Sequence, residues 1–285
     1  MSPSNAEKAV QYTAAMPVDV VAEVVTNTPL SEDYNVLVLA APEVASVAEP
    51  GQFVMVKAGS GHDPLLRRPF SVFEVLRDST GVATALSLLN KRIGITTTQL
   101  FHARAGDRIA CLGPLGRPFA LVEPPHEAWM VAGGVGLAPF VSLSEALRAR
   151  AVACTLFYGA RRGVELFYLD WFRQLGVDLV LTTEDGSLGE SGRIIAPLGR
   201  QLAERTEGAP VMVYACGPEG MLAATAATAI RYDQPCQVSV ERIMGCGLGG
   251  CYSCVIPVRN EQVGYRNVRS CINGPVFSAD QILWE

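Results

Sequence analysis

Residues 246–254 read CGLGGCYSC, and Cys271 follows Cys254 after a gap of sixteen residues. Four residues separate Cys246 from Cys251 and two separate Cys251 from Cys254, which is the plant-type spacing of cysteines that bind a two-iron, two-sulfide cluster. A loop wrapped around inorganic sulfide needs residues that tolerate positive φ and close backbone approach. The loop holds four such residues, Gly245, Gly247, Gly249 and Gly250. The sequence therefore predicts a 2Fe–2S cluster on these four cysteines.

Two other interpretations of the cysteines stay open: a structural zinc ion, and four thiols with no common ligand. Structural zinc sites usually take cysteines in pairs two to four residues apart on both sides of the site. Cys271 has no near partner in the sequence, so the spacing favours the cluster.

The composition indicates a globular protein with no charge pattern for nucleic acid. A chain of 285 residues suggests two domains with room for a small third, and 49% hydrophobic with 18% charged residues is an ordinary balance. A net charge of −5 gives no electrostatic footprint for nucleic acid or an anionic membrane, so neither is expected as a partner. The stretch Trp129–Leu143 is too short to span a bilayer, and residues 1–16 lack a secretory pattern. Eight cysteines with four bound to a cluster indicate a reducing compartment, so we expect a cytoplasmic protein with a flexible arm over residues 1–16.

Short apolar runs separated by Pro and Gly predict an antiparallel β-barrel over residues 17–122. Six runs have the length and β-branched content of strands, namely Val18–Val25, Tyr34–Ala40, Phe53–Lys57, Phe70–Leu76, Thr84–Asn90 and Arg108–Leu112.

The pattern changes after Pro124–Pro125 to alternating strands and helices, which predict a parallel α/β sheet over residues 123–232. A helix is expected over Leu166–Leu175, among others. From residue 233 to 285 the sequence predicts a small domain of short strands around the cluster loop.

Two stretches of the predicted barrel carry groups suited to a nucleotide cofactor. Residues 67–72 read RRPFSV, which offers a cation for a pyrophosphate and one hydroxyl on a backbone fixed by proline. Residues 94–97 read GITT and open a predicted helix whose backbone donors and hydroxyls suit phosphate oxygens. A strand-edge arginine and an ordinary helix cap are the open alternatives.

Two further stretches follow strands of the predicted α/β sheet. Residues 133–136 read GGVG between a strand and a helix, the context of a dinucleotide pyrophosphate site, although the spacing is not G-x-G-x-x-G and Pro139 occupies its last small position. Cys216-Gly217-Pro218 follows Val211–Ala215 and leaves room for a flat ring at the carboxyl end of the sheet. A tight turn and a buried small thiol are the open alternatives.

In this order, RPFS, GITT, GGVGLAP and CGPEGM resemble the ferredoxin–NADP reductase superfamily. With CGLGGCYSC, Cys271 and the closing CINGPVF, the chain from about Val18 to its end is similar to the electron transfer subunits of class 1B dihydroorotate dehydrogenases. The resemblance implies an FAD-binding barrel, an NAD-binding α/β domain and a C-terminal 2Fe–2S domain.

The resemblance also assigns roles to residues. It implies that Arg68 and Ser71, within Arg68-Pro69-Phe70-Ser71, hold the FAD diphosphate and the reactive edge of the flavin. The rest of the implied FAD site is Leu88, Leu89, Asn90, Gly94, Thr96 and Thr97, where Thr96 replaces a glycine of the family. The implied NAD site is Gly133, Gly134, Gly136, Pro139, Cys216, Gly217 and Pro218, with Cys216 beside the nicotinamide. Ser71 and Cys216 are thus the implied catalytic residues.

The implied activity is an electron relay in pyrimidine biosynthesis. An FMN-containing catalytic partner, in a heterotetramer with this chain, would oxidise dihydroorotate, and electrons would pass through the cluster and FAD to NAD⁺. The chain would then be an NAD-linked flavin and iron–sulfur oxidoreductase subunit.

Two rival functions stay open. Related subunits with the same cofactors serve sulfide dehydrogenases, hydrogenases and NADPH-dependent ferredoxin oxidoreductases, and Arg161 and Arg162 are candidates for the 2′-phosphate of NADP. The second rival is a redox-sensing or scaffold subunit that binds flavin and cluster without turnover.

Overall fold

The computed structural model describes residues 16–59, 61, 63–205 and 208–284. The predicted arm over residues 1–16 lies outside these residues except for Met16. Within them, no helix is long and apolar enough to cross a bilayer.

The first unit is a seven-stranded antiparallel sheet in the order β4-β3-β7-β1-β2-β6-β5. Its elements are β1 (Val18–Pro29), β2 (Tyr34–Ala40), α1 (Pro42–Ala45), β3 (Phe53–Ala58), β4 (Arg68–Ser71), β5 (Glu74–Arg77), β6 (Ala83–Lys91), α2 (Ile95–Phe101) and β7 (Arg108–Leu115).

The stretch Phe70–Leu76, predicted as one strand, forms parts of two strands, β4 and β5, in the structure. The break between them allows the sheet to close into a barrel. β4 pairs with β3 and β5 pairs with β6, so two consecutive strands occupy opposite edges of the sheet. The two residues between them hydrogen-bond to different strands: the Val72 N–H donates to the Gln52 carbonyl at 3.0 Å and the Phe73 N–H to the Ser87 carbonyl at 2.9 Å. The chain thereby brings the two edges together, and the predicted barrel is confirmed.

The second unit is a largely parallel sheet in the order β11-β10-β9-β8-β12-β13-β16, in which only the edge strand β16 is antiparallel. Its strands are β8 (Glu127–Gly133), β9 (Ala153–Ala160), β10 (Val177–Thr183), β11 (Glu190–Ser191), β12 (Val211–Cys216), β13 (Cys236–Ser239) and β16 (Val276–Ser278). β9, β10 and β11 are added to the sheet on one side of β8, whereas β12 and the later strands are added on its other side. The topological switch point, where open α/β sheets bind ligands, therefore lies between β8 and β12.

Four helices connect the strands of this sheet: α3 (Ala138–Arg148), α4 (Leu169–Gln174), α5 (Ile195–Glu204) and α6 (Glu219–Arg231). The helix predicted over Leu166–Leu175 is shorter than expected because Tyr168 has a left-handed φ of 62° and helical geometry begins only after it. The Tyr168 ring instead packs edge-on against Phe73 of the barrel, with ring centroids 4.8 Å apart.

The barrel and the α/β unit share a continuous apolar core. Phe73 and Leu89 of the barrel are buried in the same cluster as Phe140 and Leu156 of the α/β unit. Burial of side chains of this size contributes about 1.5–3 kcal/mol each, so the junction between the two units is held mainly by apolar packing.

The C-terminal segment contributes to two structures. β13 and β16 complete the α/β sheet, whereas β14 (Val255–Asn260) and β15 (Gly264–Arg269) form a separate hairpin followed by α7 (Ser270–Asn273). The proposed cluster domain over residues 233–285 therefore shares its ends with the sheet of the unit before it.

Candidate functional site

The four cysteines of the predicted cluster converge at one place. Cys246, Cys251 and Cys254 lie on the loop that leads into β14, and Cys271 lies on α7 directly after β15, which pairs with β14. The Sγ atoms of Cys254 and Cys271 are 3.2 Å apart, and Cys246 lies near enough to Cys251 to lower the pKa of its thiol. The hairpin thus brings a cysteine from sixteen residues away to the loop.

Glycine is required at two positions of this loop by close contacts. Gly247 has φ +72°, and a Cβ there would lie 2.6 Å from Cγ of Met55 in β3. Gly249 has φ +81°, and a Cβ there would lie 2.8 Å from Cγ1 of Ile272. Close approach and left-handed backbone both disfavour a side chain, so these glycines let the loop pack closely against β3 and α7.

The arrangement of the thiols is compatible with a two-iron cluster, which takes two thiolates on each iron. Cys254 and Cys271 form one close pair, and Cys246 lies near enough to Cys251 to affect its pKa. Among the described residues, no group of three or more His, Cys, Asp or Glu side chains is placed to hold a metal ion. All eight cysteines are free of disulfides.

The two pairs differ in their electrostatics. A hydrogen bond with the Ser253 hydroxyl lowers the pKa of the exposed Cys251 thiol to about 6. Burial, followed by the neighbouring Cys254 thiol, raises the pKa of Cys271. Thiolate is the metal-binding form, so the exposed Cys251 thiol is closer to that form than the Cys271 thiol.

The inner cysteine pair packs directly on the barrel. Cys254 and Cys271 belong to a buried cluster that also contains Phe53 and Met55 of β3. Phe53 is in turn the cross-strand partner of Ser71 in β4. The predicted flavin-contacting serine and the predicted cluster ligands are therefore separated by one strand of the barrel.

The RPFS residues form β4, at an edge of the barrel sheet. Arg67 forms a two-point ion pair with Asp19, at 2.8 and 2.9 Å. The Arg68 guanidinium donates only to the carbonyls of Leu66 and Arg67, at 3.2 and 3.1 Å, and forms no ion pair within the described part of the chain. Arg68 is exposed, and its positive charge is available to a phosphate.

The predicted segment Leu88–Asn90 lies in β6 and is buried, so only part of it can face a ligand. Asn90 belongs to a chain of three asparagines: its Nδ2 donates to Oδ1 of Asn35 at 2.7 Å, and Nδ2 of Asn35 donates to Asn27. Asn90 also donates to the Thr97 carbonyl at 3.0 Å, and Asn27 to the Leu100 carbonyl at 3.1 Å. The structure thus gives Asn90 a role in holding α2 against the barrel, which sequence reasoning missed.

The GITT residues begin α2 and differ in what their hydroxyls do. Oγ1 of Thr97 accepts from the N–H groups of Ile93 and Gly94, both at 2.9 Å, so this hydroxyl caps the helix. Oγ1 of Thr96, which is buried, has no hydrogen-bond partner among the described residues. A buried hydroxyl without a partner is costly, and a bound cofactor is one way to satisfy it.

The GGVG and CGP loops meet at the switch point of the α/β sheet. Gly133 ends β8, and Cys216 ends the neighbouring strand β12. A Cβ on Gly136 would lie 2.1 Å from the Cys216 carbonyl oxygen, whereas a Cβ on Gly134, at φ +55°, would meet nothing within 4 Å. Gly136 therefore permits the contact between the loops, while Gly134 exposes backbone to open space, as a pyrophosphate site requires.

The remaining residues of this site shape the loop ends. Pro139 lies in the first turn of α3, and Pro218 precedes α6, where proline's missing N–H costs no helical hydrogen bond. Cys216 is half-buried, and burial raises the pKa of its thiol to about 12, with a hydrogen bond to Ser239 acting in the opposite direction. The thiol is neutral at physiological pH and therefore offers a compact uncharged surface. Gly217 has φ +154° and packs against Met221.

The arginines considered for NADP lie after β9. Arg162 forms an ion pair with Glu165 at 3.2 Å, so one of the two arginines considered for the 2′-phosphate already has a carboxylate partner. Arg161 is exposed and forms no ion pair with any described residue.

Sequence reasoning also missed two arginines beside the predicted sites. Arg242 forms a two-point ion pair with Glu219 of α6, at 2.8 and 2.9 Å, and links the CGP loop to the approach to the cluster. Arg269 donates to the Gly249 carbonyl at 2.7 Å. The sequence offered one signal for each arginine. Glu219, the partner of Arg242, directly follows CGP, and Arg269 lies two residues before Cys271.

Comparisons with known families agree with this architecture. The iron-sulfur cluster binding domain of dihydroorotate dehydrogenase B matches residues 241–283, and the oxidoreductase NAD-binding domain matches residues 130–227. The chain is similar to the "Dihydroorotate dehydrogenase B (NAD(+)), electron transfer subunit" of Desulforamulus reducens, at 39% identity over 86% of this chain and 90% of that protein. The subunit of the same name from a Geobacillus species is 35% identical over 91% of this chain and 96% of its own length.

Solved structures show the same fold. A structure described as giving "Insights into flavin-based electron bifurcation via the NADH-dependent reduced ferredoxin-NADP oxidoreductase structure" has a TM-score of 0.79 and 28% identity, covering 93% of this chain and 90% of that one. A ferredoxin NADP+ reductase from Neisseria gonorrhoeae with bound FAD and NADP has a TM-score of 0.59 at 20% identity, over 76% of this chain and 92% of that one, and shows the fold alone.

Proposed function

This chain belongs to the family of dihydroorotate dehydrogenase B electron transfer subunits, and we propose that it carries electrons from an FMN-containing catalytic partner to NAD⁺. The route is a 2Fe–2S cluster on Cys246, Cys251, Cys254 and Cys271 and an FAD on the barrel. When bound, FAD accepts single electrons and delivers pairs as hydride, the conversion needed between an iron–sulfur centre and NAD⁺.

One observation carries this proposal: the cluster cysteines pack on the strand next to Ser71. Cys254 and Cys271 are buried in one cluster with Phe53 and Met55, and Phe53 pairs with Ser71 across β3 and β4. These cysteines would hold the cluster and Ser71 the flavin edge on neighbouring parts of the barrel, so electron transfer between them would need no large movement of the chain. On the far side, the switch point offers Gly134 and Cys216 for the nicotinamide nucleotide.

The chain's own residues bind and orient rather than move protons in this proposal. Arg68 supplies a cation for the FAD diphosphate, and Ser71 supplies a hydroxyl for the flavin edge. Cys216, with a neutral thiol, places a small side chain beside the nicotinamide without introducing charge.

The catalytic partner docks, on this proposal, over the cluster loop. The apolar side chains beside the cysteines are exposed: Leu248 at 54%, Tyr252 at 62% and Ile272 at 42%. Apolar residues grouped around a redox site favour a protein partner that excludes water from the electron path. We place two copies of each subunit in a heterotetramer in the cytoplasm, where the eight unpaired thiols stay reduced.

A second candidate keeps the cofactors and changes the partner. The similarity to the NADH-dependent reduced ferredoxin-NADP oxidoreductase structure, at 28% identity, favours it specifically. In that case the same relay serves a ferredoxin-linked or related complex.

Purification of the native complex tests the proposal. We expect an FMN-containing protein to purify with this chain, and dihydroorotate to reduce NAD⁺ with equal formation of orotate. Purification with a different oxidoreductase, together with no reaction of dihydroorotate, supports the second candidate. A coloured complex that reacts with neither NADH nor NADPH contradicts both relays and supports the sensor or scaffold interpretation.

A further inference from the structure

We propose that Arg269 is a positioning residue of the cluster site that fixes the cysteine loop and raises the reduction potential of the bound cluster. This inference rests on the cluster assignment of the proposed function. It concerns a residue that is not a ligand, since Arg269 lies in β15, two residues before Cys271.

The first contact fixes one peptide of the loop. Nη1 of Arg269 donates to the Gly249 carbonyl at 2.7 Å, a short charge-assisted hydrogen bond. Gly249 lies between Cys246 and Cys251, and a Cβ there would lie 2.8 Å from Cγ1 of Ile272, the residue after Cys271. By holding the Gly249 carbonyl, Arg269 restrains the loop segment between two predicted cluster ligands at the point where it packs against α7.

The second contact fixes the loop beyond Cys251. The Arg269 guanidinium lies over the Tyr252 ring, 4.9 Å from its centroid, within the range of a cation–π interaction. Tyr252 has φ +58°, a left-handed conformation that is uncommon for a residue other than glycine. Arg269 thus contacts the loop on both sides of Cys251, and its planar guanidinium makes both contacts at once, which a lysine ammonium does not.

Besides holding the loop in place, Arg269 brings a positive charge close to the cluster. The side chain is half-buried and forms no ion pair with a carboxylate among the described residues. Reduction of a cluster adds one negative charge, and a nearby cation that is neither paired nor fully hydrated stabilises that charge.

The test compares three variants of the complete, cofactor-loaded chain: Arg269→Gln, Arg269→Lys and Arg266→Gln. Arg266 lies in the same strand and is exposed, so its replacement makes the same change in net charge without a loop contact. Iron and sulfide content are measured first, and the potential is then obtained by redox titration of the reduced-cluster EPR signal.

We expect Arg269→Gln to shift the reduction equilibrium about tenfold toward the oxidised cluster, which is a fall of about 59 mV for a one-electron couple. Arg266→Gln should stay within twofold of the wild type. Arg269→Lys should keep most of the potential but lose iron to a chelator several times faster, because the charge remains and the loop contacts do not.

The outcomes separate this inference from the proposed function. A wild-type chain without iron and sulfide overturns the cluster assignment itself. A loaded chain in which Arg269→Gln and Arg266→Gln have the same potential overturns the charge effect. If Arg269→Gln retains no cluster, the Arg269→Lys variant tests the positioning role instead. Iron loss from Arg269→Lys at the wild-type rate would overturn that role. Faster iron loss at a nearly unchanged potential would support it.

Discussion

Gly136 provides the sharpest test of the proposed nicotinamide nucleotide site. A Cβ at this position would lie 2.1 Å from the Cys216 carbonyl oxygen and 2.5 Å from its carbonyl carbon, and both are backbone atoms that cannot rotate away. In Gly136→Ala, the GGVG and CGP loops must therefore separate by roughly 1 Å to restore ordinary contact distances. A misplacement of about 1 Å at a reacting site costs on the order of a hundredfold in rate.

We expect Gly136→Ala to lower kcat/KM for NADH about a hundredfold, equivalent to about 2.7 kcal/mol. The assay is NADH oxidation by ferricyanide, which requires only the nicotinamide site and FAD. Gly220→Ala is the matched control, because Gly220 lies in α6 beside the same loops and a Cβ there meets nothing within 4 Å. The control should keep wild-type activity and gain up to about 1 kcal/mol in stability, since alanine favours helix.

Equal kcat/KM for the two variants would refute the assignment of the switch point as the nicotinamide site. FAD content is measured alongside, because the barrel holds the flavin and should be unaffected by a change at Gly136. Loss of FAD in Gly136→Ala would show instead that the two units unfold together.

Two other changes test the barrel and its junction with the α/β unit. Asn90→Ala should lower the free energy of unfolding by about 1–3 kcal/mol in urea denaturation, because Oδ1 of Asn35 and the Thr97 carbonyl lose their donor; an unchanged midpoint would contradict the role of the asparagine chain. Burial raises the pKa of Glu74 above its ordinary 4.5, so its stabilising contribution is present below pH 4.5 and is lost as pH rises through the raised pKa. Glu74→Gln keeps an acceptor for the Ser87 hydroxyl, which now donates to Glu74 at 2.8 Å, and should raise Tm at pH 8 but not at pH 4.5. A Tm difference that is the same at both pH values would argue against a buried charge.

The sequence predicted those features of the molecule whose residues lie close together along the chain. The spacing of Cys246, Cys251 and Cys254 is confined to nine residues, and the GGVG and CGP stretches each directly follow a strand, so both were recognisable. The fold class and the family are confirmed, whereas the individual FAD and NAD contacts remain predictions.

Pairings between distant residues were not predictable in the same way. β16 has only three residues and pairs with β13, which precedes the cluster loop and the β14–β15 hairpin, so no local pattern marks it. β13 pairs with the preceding strand β12, but its four residues are too few for a clear pattern. The burial of Cys254 in one cluster with Met55 depends on the loop folding back onto β3, which the sequence of the loop alone does not specify. The helix cap made by Thr97 was one of the alternatives left open, because a hydroxyl at this position suits a phosphate equally well.

The most direct test of the relay is to remove one cluster ligand and compare two activities of the assembled complex. Cys254→Ala removes a predicted ligand that is 2% exposed, and Cys154→Ala removes a thiol outside the predicted set that is 4% exposed. We expect Cys254→Ala to abolish NAD⁺ reduction by dihydroorotate while NADH oxidation by ferricyanide stays within about threefold of the wild type, since the latter needs only FAD. Cys154→Ala should retain both activities. Dihydroorotate-dependent NAD⁺ reduction that survives in Cys254→Ala, or equal loss of both activities, would contradict an electron path through the cluster.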